Sequence, residues 1–426
     1  MSKISKLIKK PDLFIKDFIV KRGFDANLIG KKLNISFLQD KETTSTENLI
    51  TSNITLFTQT VHLLHTGEGL THGPSHLDQW ISHFIKSGEK FAILIRNKAL
   101  FNWAVEKYPT VDIVYAKSAN NVENVINKLP FLKAIYYFSN TGNLIHTLRY
   151  NRYQHIFLGH GDSDKAASAH KFFRVYDEIW VAGQAHVDRF KNAKFNTDHI
   201  KFVKIGRPNL KDVLLKLNKE KINTTKRVVY LPTWEGVYEE NNYSSAHIAP
   251  VMLNEVFKKY DCSLDIKLHP VMGSRDSTLL GLEKTLIDTF SKNQDKVEIH
   301  SKDVPVEEII KDADIYICDI SAVVSECIST LSPIFLFVPN DREIITSASN
   351  MQYSDYTYTF SNIEELLSLY EKVIIEGEDP LADMRYKALD YLLTVDATKN
   401  DEFFKQLRNI SKTISLLNNS RENVIQ

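Results

Sequence analysis

A histidine held between two glycines, Gly159-His160-Gly161, follows the apolar run His155–Leu158. Glycine on both sides leaves the imidazole accessible and the backbone open to close approach, and an imidazole can take a proton near neutral pH. Arg207, between Gly206 and Pro208, offers a fork of donors from a stiff loop, which suits a phosphate. A third stretch reads as strand, tight turn, helix and strand. Ile315–Cys318 is apolar and Asp319 closes it; Ser321 stands at an N-cap position before the apolar-periodic run Val323–Leu331, and Ile334–Val338 follows Pro333. The helix N-terminus of such a βαβ unit presents N–H groups and positive dipole to a phosphate. The plain alternative for Asp319 and Ser321 is a helix cap in an ordinary α/β domain.

Five histidines, His62, His65, His72, His76 and His83, lie between Leu56 and His83. His72 and His76 have the separation of two ligands on one helix face, but Gly73 and Pro74 intervene and no Cys or acidic cluster accompanies them, so no metal is expected. Gly67, Gly69 and Gly73 approach a dinucleotide fingerprint; the third glycine comes one place late, and no strong strand precedes it. The stretch reads as a loop before a helix from Ser75 to Lys86.

Strands and helices then alternate. Strands are expected at Phe91–Arg96, Asp112–Tyr115, Ala134–Phe138, His155–Leu158, Tyr176–Ala182 and Phe202–Ile205, with helices at Leu100–Tyr108 and Asn120–Leu129. Lys211–Asn223 reads as a linker, and the rhythm resumes at Val228–Leu231, Leu264–Leu268 and Val297–His300, ending in helical runs at Ile363–Ile375, Leu381–Leu393 and Glu402–Leu417. Ligands of such sheets bind beyond the carboxyl ends of the strands, where the residues above lie. A chain of 426 residues is too long for one ordinary core. The expected division is a basic amphipathic segment 1–25, an acceptor-side Rossmann-like domain 26–223, a nucleotide-donor domain 224–395 and a helical tail 396–426.

Equal numbers of basic and acidic residues, 53 each, exclude a global field that recruits nucleic acid. Three cysteines without a C-x-x-C pair suit a reducing compartment, and no apolar stretch reaches spanning length, so a cytoplasmic protein is expected. Residues 1–22 mix seven basic side chains with apolar anchors, a composition suited to an anionic membrane surface.

Taken together, the loops His160–Lys165, Thr233–Gly236, His269–Pro270 and Asp319–Ser321 distribute over two successive doubly wound units, which resembles the GT-B architecture: an α/β fold of two Rossmann-like domains facing a cleft, with C-terminal helices. At these residues the sequence resembles the CDP-glycerol glycerophosphotransferase family, the TagF-like polymerases of teichoic acid and bacterial capsule synthesis. The matches are His160-Gly161 with Lys165 for HG-x-x-x-K, Gly206 to Pro208 for G-x-P, Pro232-Thr233-Trp234 for PTW, Lys267-Leu268-His269-Pro270 for KLHP, and Asp319-x-Ser321 for D-Y-S-S. Asp162, Ser163 and Asp164 replace the family's Thr-Pro-Leu, Glu235 stands where Arg is frequent, and Ile320 and Ala322 replace Tyr and the second Ser.

The resemblance implies transfer of glycerol phosphate from CDP-glycerol to a hydroxyl of a glycan or lipid-linked glycan acceptor, with CMP leaving and no cofactor assigned. His160 would be the general base, Asp162 or Asp164 would orient it, and His269 would donate to the donor phosphates. Ser321, Asp319, Lys267, Thr233, Trp234 and Glu235 would line the donor site, Arg207 and Lys165 would meet phosphate, and Glu326 would reach a ribose hydroxyl. Two other readings follow from the same residues: a GT-B capsule glycosyltransferase or sugar-phosphate transferase with another CMP-, CDP- or UDP-activated donor, with Glu235 as base, and a non-catalytic scaffold docked on the membrane through residues 1–22.

Overall fold

The computed structural model describes residues 48–51, 57–161, 163, 168–217, 225–236, 242–342, 344 and 349–413. The basic N-terminal segment, Asp162, Asp164 and Lys165 lie outside the described residues. Two sheets organise the chain. The first holds β1 Leu49–Ile50, β2 His62–Thr66, β3 Phe91–Ile95, β4 Asp112–Tyr115, β5 Ala134–Tyr137, β6 Gln154–Phe157, β7 Glu178–Val181 and β8 Lys201–Lys204, in the order β1-β4-β3-β2-β5-β6-β7-β8. Only the β1–β4 pairing is antiparallel. The second sheet is parallel throughout: β9 Lys226–Leu231, β10 Cys262–Ile266, β11 Val297–Ile299, β12 Ile315–Asp319, β13 Ile334–Phe337 and β14 Tyr358–Phe360, in the order β11-β10-β9-β12-β13-β14.

Both sheets are doubly wound, because the chain walks outward from a central strand and then returns to start again on its other side. The switch points lie between β2 and β5 in the first sheet and between β9 and β12 in the second. Successive residues of a strand face opposite sides, so Leu63 and Leu64 of β2 enter different core clusters, as do Val228 and Val229 of β9. Such strands must be apolar on both faces, which is why they read as continuous runs.

β2 was not expected as a strand. All five of its residues are buried, and its two histidines are neutral core members: His62 is hydrogen-bonded to Tyr136 Oη and Ser411 Oγ, both at 2.9 Å, and His65 to Thr147 Oγ1 at 2.7 Å. The glycine loop 67–73 therefore does follow a strand, at the first switch point, and leads into the helix Gly73–Ser87. The expected linker begins instead as the short helix Lys211–Leu215, and the polar stretch before Phe360 contains the helix Tyr353–Tyr356 and edge strand β14.

The C-terminal helices tie the two halves together. Gly183 before the helix Gln184–Asn192 lies against the backbone of Tyr391 and Leu392 in the helix Ala382–Leu393, whose Leu389 and Leu392 share a core with the second sheet. The helix Glu402–Lys412 then crosses to the first sheet, inserting Phe403 against Trp80, Phe84 and Trp180. Gly206 is held to this bracing by geometry: its φ is +71°, and a Cβ there would lie 2.1 Å from Thr398 Oγ1. Among the described residues no helix is long and apolar enough to cross a membrane.

Candidate active site

Strand ends of both sheets meet around His160. The loop carrying it leaves β6 and is fixed from behind by Trp80 Nε1, which donates to the Gly159 carbonyl at 2.8 Å. Nδ1–H of His160 donates to the Phe138 carbonyl at 2.7 Å, just past the end of β5. A carbonyl only accepts, so this bond keeps the proton on Nδ1 and leaves Nε2 as the basic nitrogen of the neutral ring. This backbone oxygen orients the ring; Asp162 and Asp164, expected in that role, lie outside the described residues. His160 is exposed along one side while protein crowds its ring on the others. Loss of water lowers its pKa from the ordinary 6.5; the Phe138 carbonyl and Glu68 pull it upward, and Arg207 and His72 add to the lowering.

Two more histidines join it from the helix Gly73–Ser87. His76, buried in the first turn, stacks on His160 with ring centroids 3.9 Å apart and planes at 17°. His72, at the N-cap, lies 6.3 Å from His76 on one side and 6.3 Å from the indole of Trp234 on the other. Trp234 in turn stacks at 6.3 Å on His269. A row of rings thus runs from the loop after β6, across the loop after β2, to the loops after β9 and β10. Val271 N–H donates to His269 Nδ1 at 3.3 Å, so the neutral ring of His269 carries its proton on Nε2, the tautomer opposite to that of His160.

On the other side of His160, Gly161 meets the start of the helix Ala322–Cys327. A Cβ on Gly161 would lie 2.8 Å from that of Ala322, so only glycine lets these loops approach. Ser321 is at the N-cap, as expected, but its side chain makes no capping hydrogen bond. With six residues the helix is also too short for a developed dipole, and Ser321 is better described as a half-buried residue at the start of that helix than as a phosphate-binding cap.

Several expected ligand residues are turned inward. Asp319 is completely buried, and its Oδ2 accepts from Thr233 N–H at 2.8 Å and Ser245 N–H at 3.1 Å across the switch point. Glu235 is buried with its carboxylate taking backbone N–H groups of Gly273, Arg275 and Asp276 at 3.0–3.1 Å, which leaves it unsuited to act as a base. Lys267 donates to the carbonyls of Ser301 and Lys302 at 3.2 and 3.1 Å, and burial lowers its pKa. Thr233 is buried as well. These four hold the loops that carry Trp234 and His269 rather than lining the cleft themselves.

Arg207 is buried beneath the cleft. The Gln79 amide, in the orientation that satisfies both of its ends, donates to the His160 carbonyl and accepts from Arg207 Nη1, each at 2.8 Å. Arg207 Nη2 lies 3.8 Å from Glu326, while its Nε and Nη2 make no hydrogen bond among the described residues. Glu326, expected at a ribose, instead faces this guanidinium. Burial pushes its carboxyl up to about 7, with Arg207 opposing and Glu307 adding to the rise. Gln79, Glu68 and the Phe138 carbonyl had no signal in the sequence beyond their closeness to strand ends.

Residues 96–362, well over half of the chain, match the sequence profile of the family described as CDP-Glycerol:Poly(glycerophosphate) glycerophosphotransferase. No curated protein sequence matches. Among solved structures, a histidine-to-asparagine variant of the wall teichoic acid polymerase TagF aligns at TM-score 0.53 and 13% identity over 94% of this chain and 97% of that one. Anabaena HepE in complex with UDP and glucose aligns at TM-score 0.50 and 11% identity over 82% of this chain and all of that one. At these identities the structural likeness speaks for the fold, which is GT-B. Fold and profile together identify a transferase: the chain belongs to the CDP-glycerol:poly(glycerophosphate) glycerophosphotransferase family.

Proposed function

We propose that this protein transfers glycerol phosphate from CDP-glycerol to a hydroxyl of a capsule or teichoic-acid type acceptor, with the acceptor on the side of residues 26–223 and the donor on the side of 224–395. The observation that carries the reading is the opposite tautomers of His160 and His269 on loops of the two sheets. One ring keeps a basic Nε2 for the acceptor hydroxyl; the other keeps an Nε2–H for phosphate oxygen. In the reaction the acceptor oxygen attacks the phosphorus that bears glycerol, His160 takes its proton, and the pyrophosphate P–O bond breaks with its electron pair leaving on CMP. The lowered pKa of His160 keeps the base unprotonated at neutral pH. Trp234 and Ser321 line the donor side, and Arg207, together with Lys165, balances phosphate charge.

The family supports this donor, and TagF itself has been solved both as a histidine-to-asparagine variant soaked with CDPG and as a histidine-to-alanine variant. Work on an acceptor at the inner face of the cytoplasmic membrane, reached through residues 1–22, completes the proposal. The test is incubation with CDP-glycerol, CDP-ribitol or sugar nucleotides and candidate acceptors, with products read by mass spectrometry. CMP release and glycerol phosphate addition from CDP-glycerol alone, abolished by His160→Ala and strongly reduced by His269→Ala, is the expected result. Turnover of a sugar nucleotide in place of CDP-glycerol, or full activity in both variants, would sink it.

A further inference from the structure

We propose that His76 is a positioning residue for the base: its neutral ring, stacked face to face on His160, fixes the plane of that imidazole and stabilises it when it becomes a cation. The inference rests on the reading of His160 as the general base. Two neutral rings gain little from a face-to-face stack, since their quadrupoles prefer an offset or edge-on arrangement. A cation over a ring face is attracted. The separation of 3.9 Å and interplanar angle of 17° are therefore worth more after proton transfer than before it, and only such a differential interaction speeds the step.

The surroundings of His76 keep it in the required state. It is buried in the first turn of the helix Gly73–Ser87, where the positive helix end opposes a charge. Burial first, then His160 and His72, push its pKa down to about 2, so it does not compete for the acceptor proton. Its Nδ1 makes no hydrogen bond among the described residues, so the nitrogen adds nothing visible to the fold. An apolar side chain would be easier to bury there. What the position offers is a neutral aromatic face. The other charged or titratable groups acting on His160 are Glu68, which favours its cation, and Arg207 and His72, which oppose it. With two neighbours against the charge, the face of His76 joins the Phe138 carbonyl and Glu68 in offsetting them.

The test compares His76→Leu, which keeps water out but removes the face, with His76→Phe, which keeps a face without the nitrogens. The full-length chain is assayed for CMP release from CDP-glycerol against pH. His76→Leu is expected to lose roughly five- to thirtyfold in kcat, with the donor KM within about twofold and the acid limb of the profile moved to lower pH. His76→Phe is expected to keep at least about a third of the parental kcat. Parental kinetics in His76→Leu, or equal damage in both variants, overturns the proposal. His160→Gln runs beside them: full turnover there withdraws the base reading itself, whereas a dead His160→Gln beside a parental His76→Leu removes only the role of His76. Should His76→Leu fail to fold, the His160 ring is titrated by NMR in His76→Phe. A midpoint near the parental one supports the role, and a clear fall refutes it.

Discussion

Replacing Asp319 separates a residue that holds the donor loop from one that touches the donor. Its carboxylate is fully buried and accepts the N–H groups of Thr233 and Ser245, which belong to the connection after β9 while Asp319 ends β12. Asp319→Ala leaves both N–H groups without this acceptor, and at roughly 1–3 kcal/mol per stranded buried group the loss comes to about 4 kcal/mol. Asp319→Asn keeps an oxygen for these bonds but not its charge, so about 1–2 kcal/mol is expected. Urea unfolding followed by tryptophan emission is a suitable assay, because Trp234 directly follows Thr233 on the affected loop. CMP release measured on the same samples should fall with the order of the loop: strongly in Asp319→Ala, severalfold in Asp319→Asn. The reasoning fails if Asp319→Ala unfolds within about 1 kcal/mol of the parent. It fails differently if Asp319→Asn is as stable as the parent yet loses turnover more than a hundredfold, for then the carboxylate meets the reacting phosphates.

Acid should unfold the protein through its buried histidines. Folding lowers the pKa of His62 to about 3, His76 to about 2 and His83 to about 4, and that of His65 well below 6.5, each chiefly through burial. Below pH 6.5 the unfolded chain binds protons that the folded one refuses, so stability falls with pH. Glu326, raised to about 7, acts in the opposite sense between its ordinary 4.5 and 7. The net expectation is a loss of about 4 kcal/mol per pH unit between pH 6 and 5, read from chemical unfolding at several pH values; a flat profile there would contradict the buried neutral histidines. Gly161→Ala forces a methyl to within 2.8 Å of the Ala322 Cβ, where apolar carbons prefer about 3.5–4.0 Å, and should cut turnover at least tenfold with little change in unfolding. Gly161→Ala with Ala322→Gly removes the collision and should restore most of the activity; equal damage in single and double variants would mean that the contact is unimportant.

The βαβ unit from Ile315 to Phe337 was legible because each strand is an apolar run bounded by turn residues, and the structure moves its ends by a residue or so. β2 was not legible. Its histidines break the apolar pattern locally and find partners 74, 82 and 349 residues away, which no window along the chain reveals. With β2 hidden, the glycine loop after it had no strand to follow, and the first switch point was lost from view. The site shows a similar division. His160 and His269 could be picked out as histidines in loops stiffened or opened by Gly and Pro, and the two lie at opposite ends of one row of rings. The inward turn of Asp319, Glu235 and Lys267 could not be read, because a charged residue at a strand end looks the same whether its partner is a phosphate or a neighbouring backbone.

The physical need for those inward residues follows from where the loops lie. A chain leaving a parallel sheet at its switch point loses the ladder partners of its backbone N–H and C=O groups, yet the packed loops around it keep water away. Something polar must satisfy those groups. Asp319 does so for the loop after β9; Glu235, on that loop, does so for the segment after Pro270; and Lys267 reaches the carbonyls after β11. The three form a relay in which each loop is fixed by a charge borne on its neighbour, so that Trp234 and His269 come to the cleft already positioned. Charge spent on backbone is then unavailable to substrate, and on the proposed reading the chemistry falls to groups that remain partly open: His160, His269, Trp234 and Ser321. On this argument a matching strand-end motif names two kinds of residue, and burial decides between them: the acids and the lysine set the geometry of the loops that carry the proposed site.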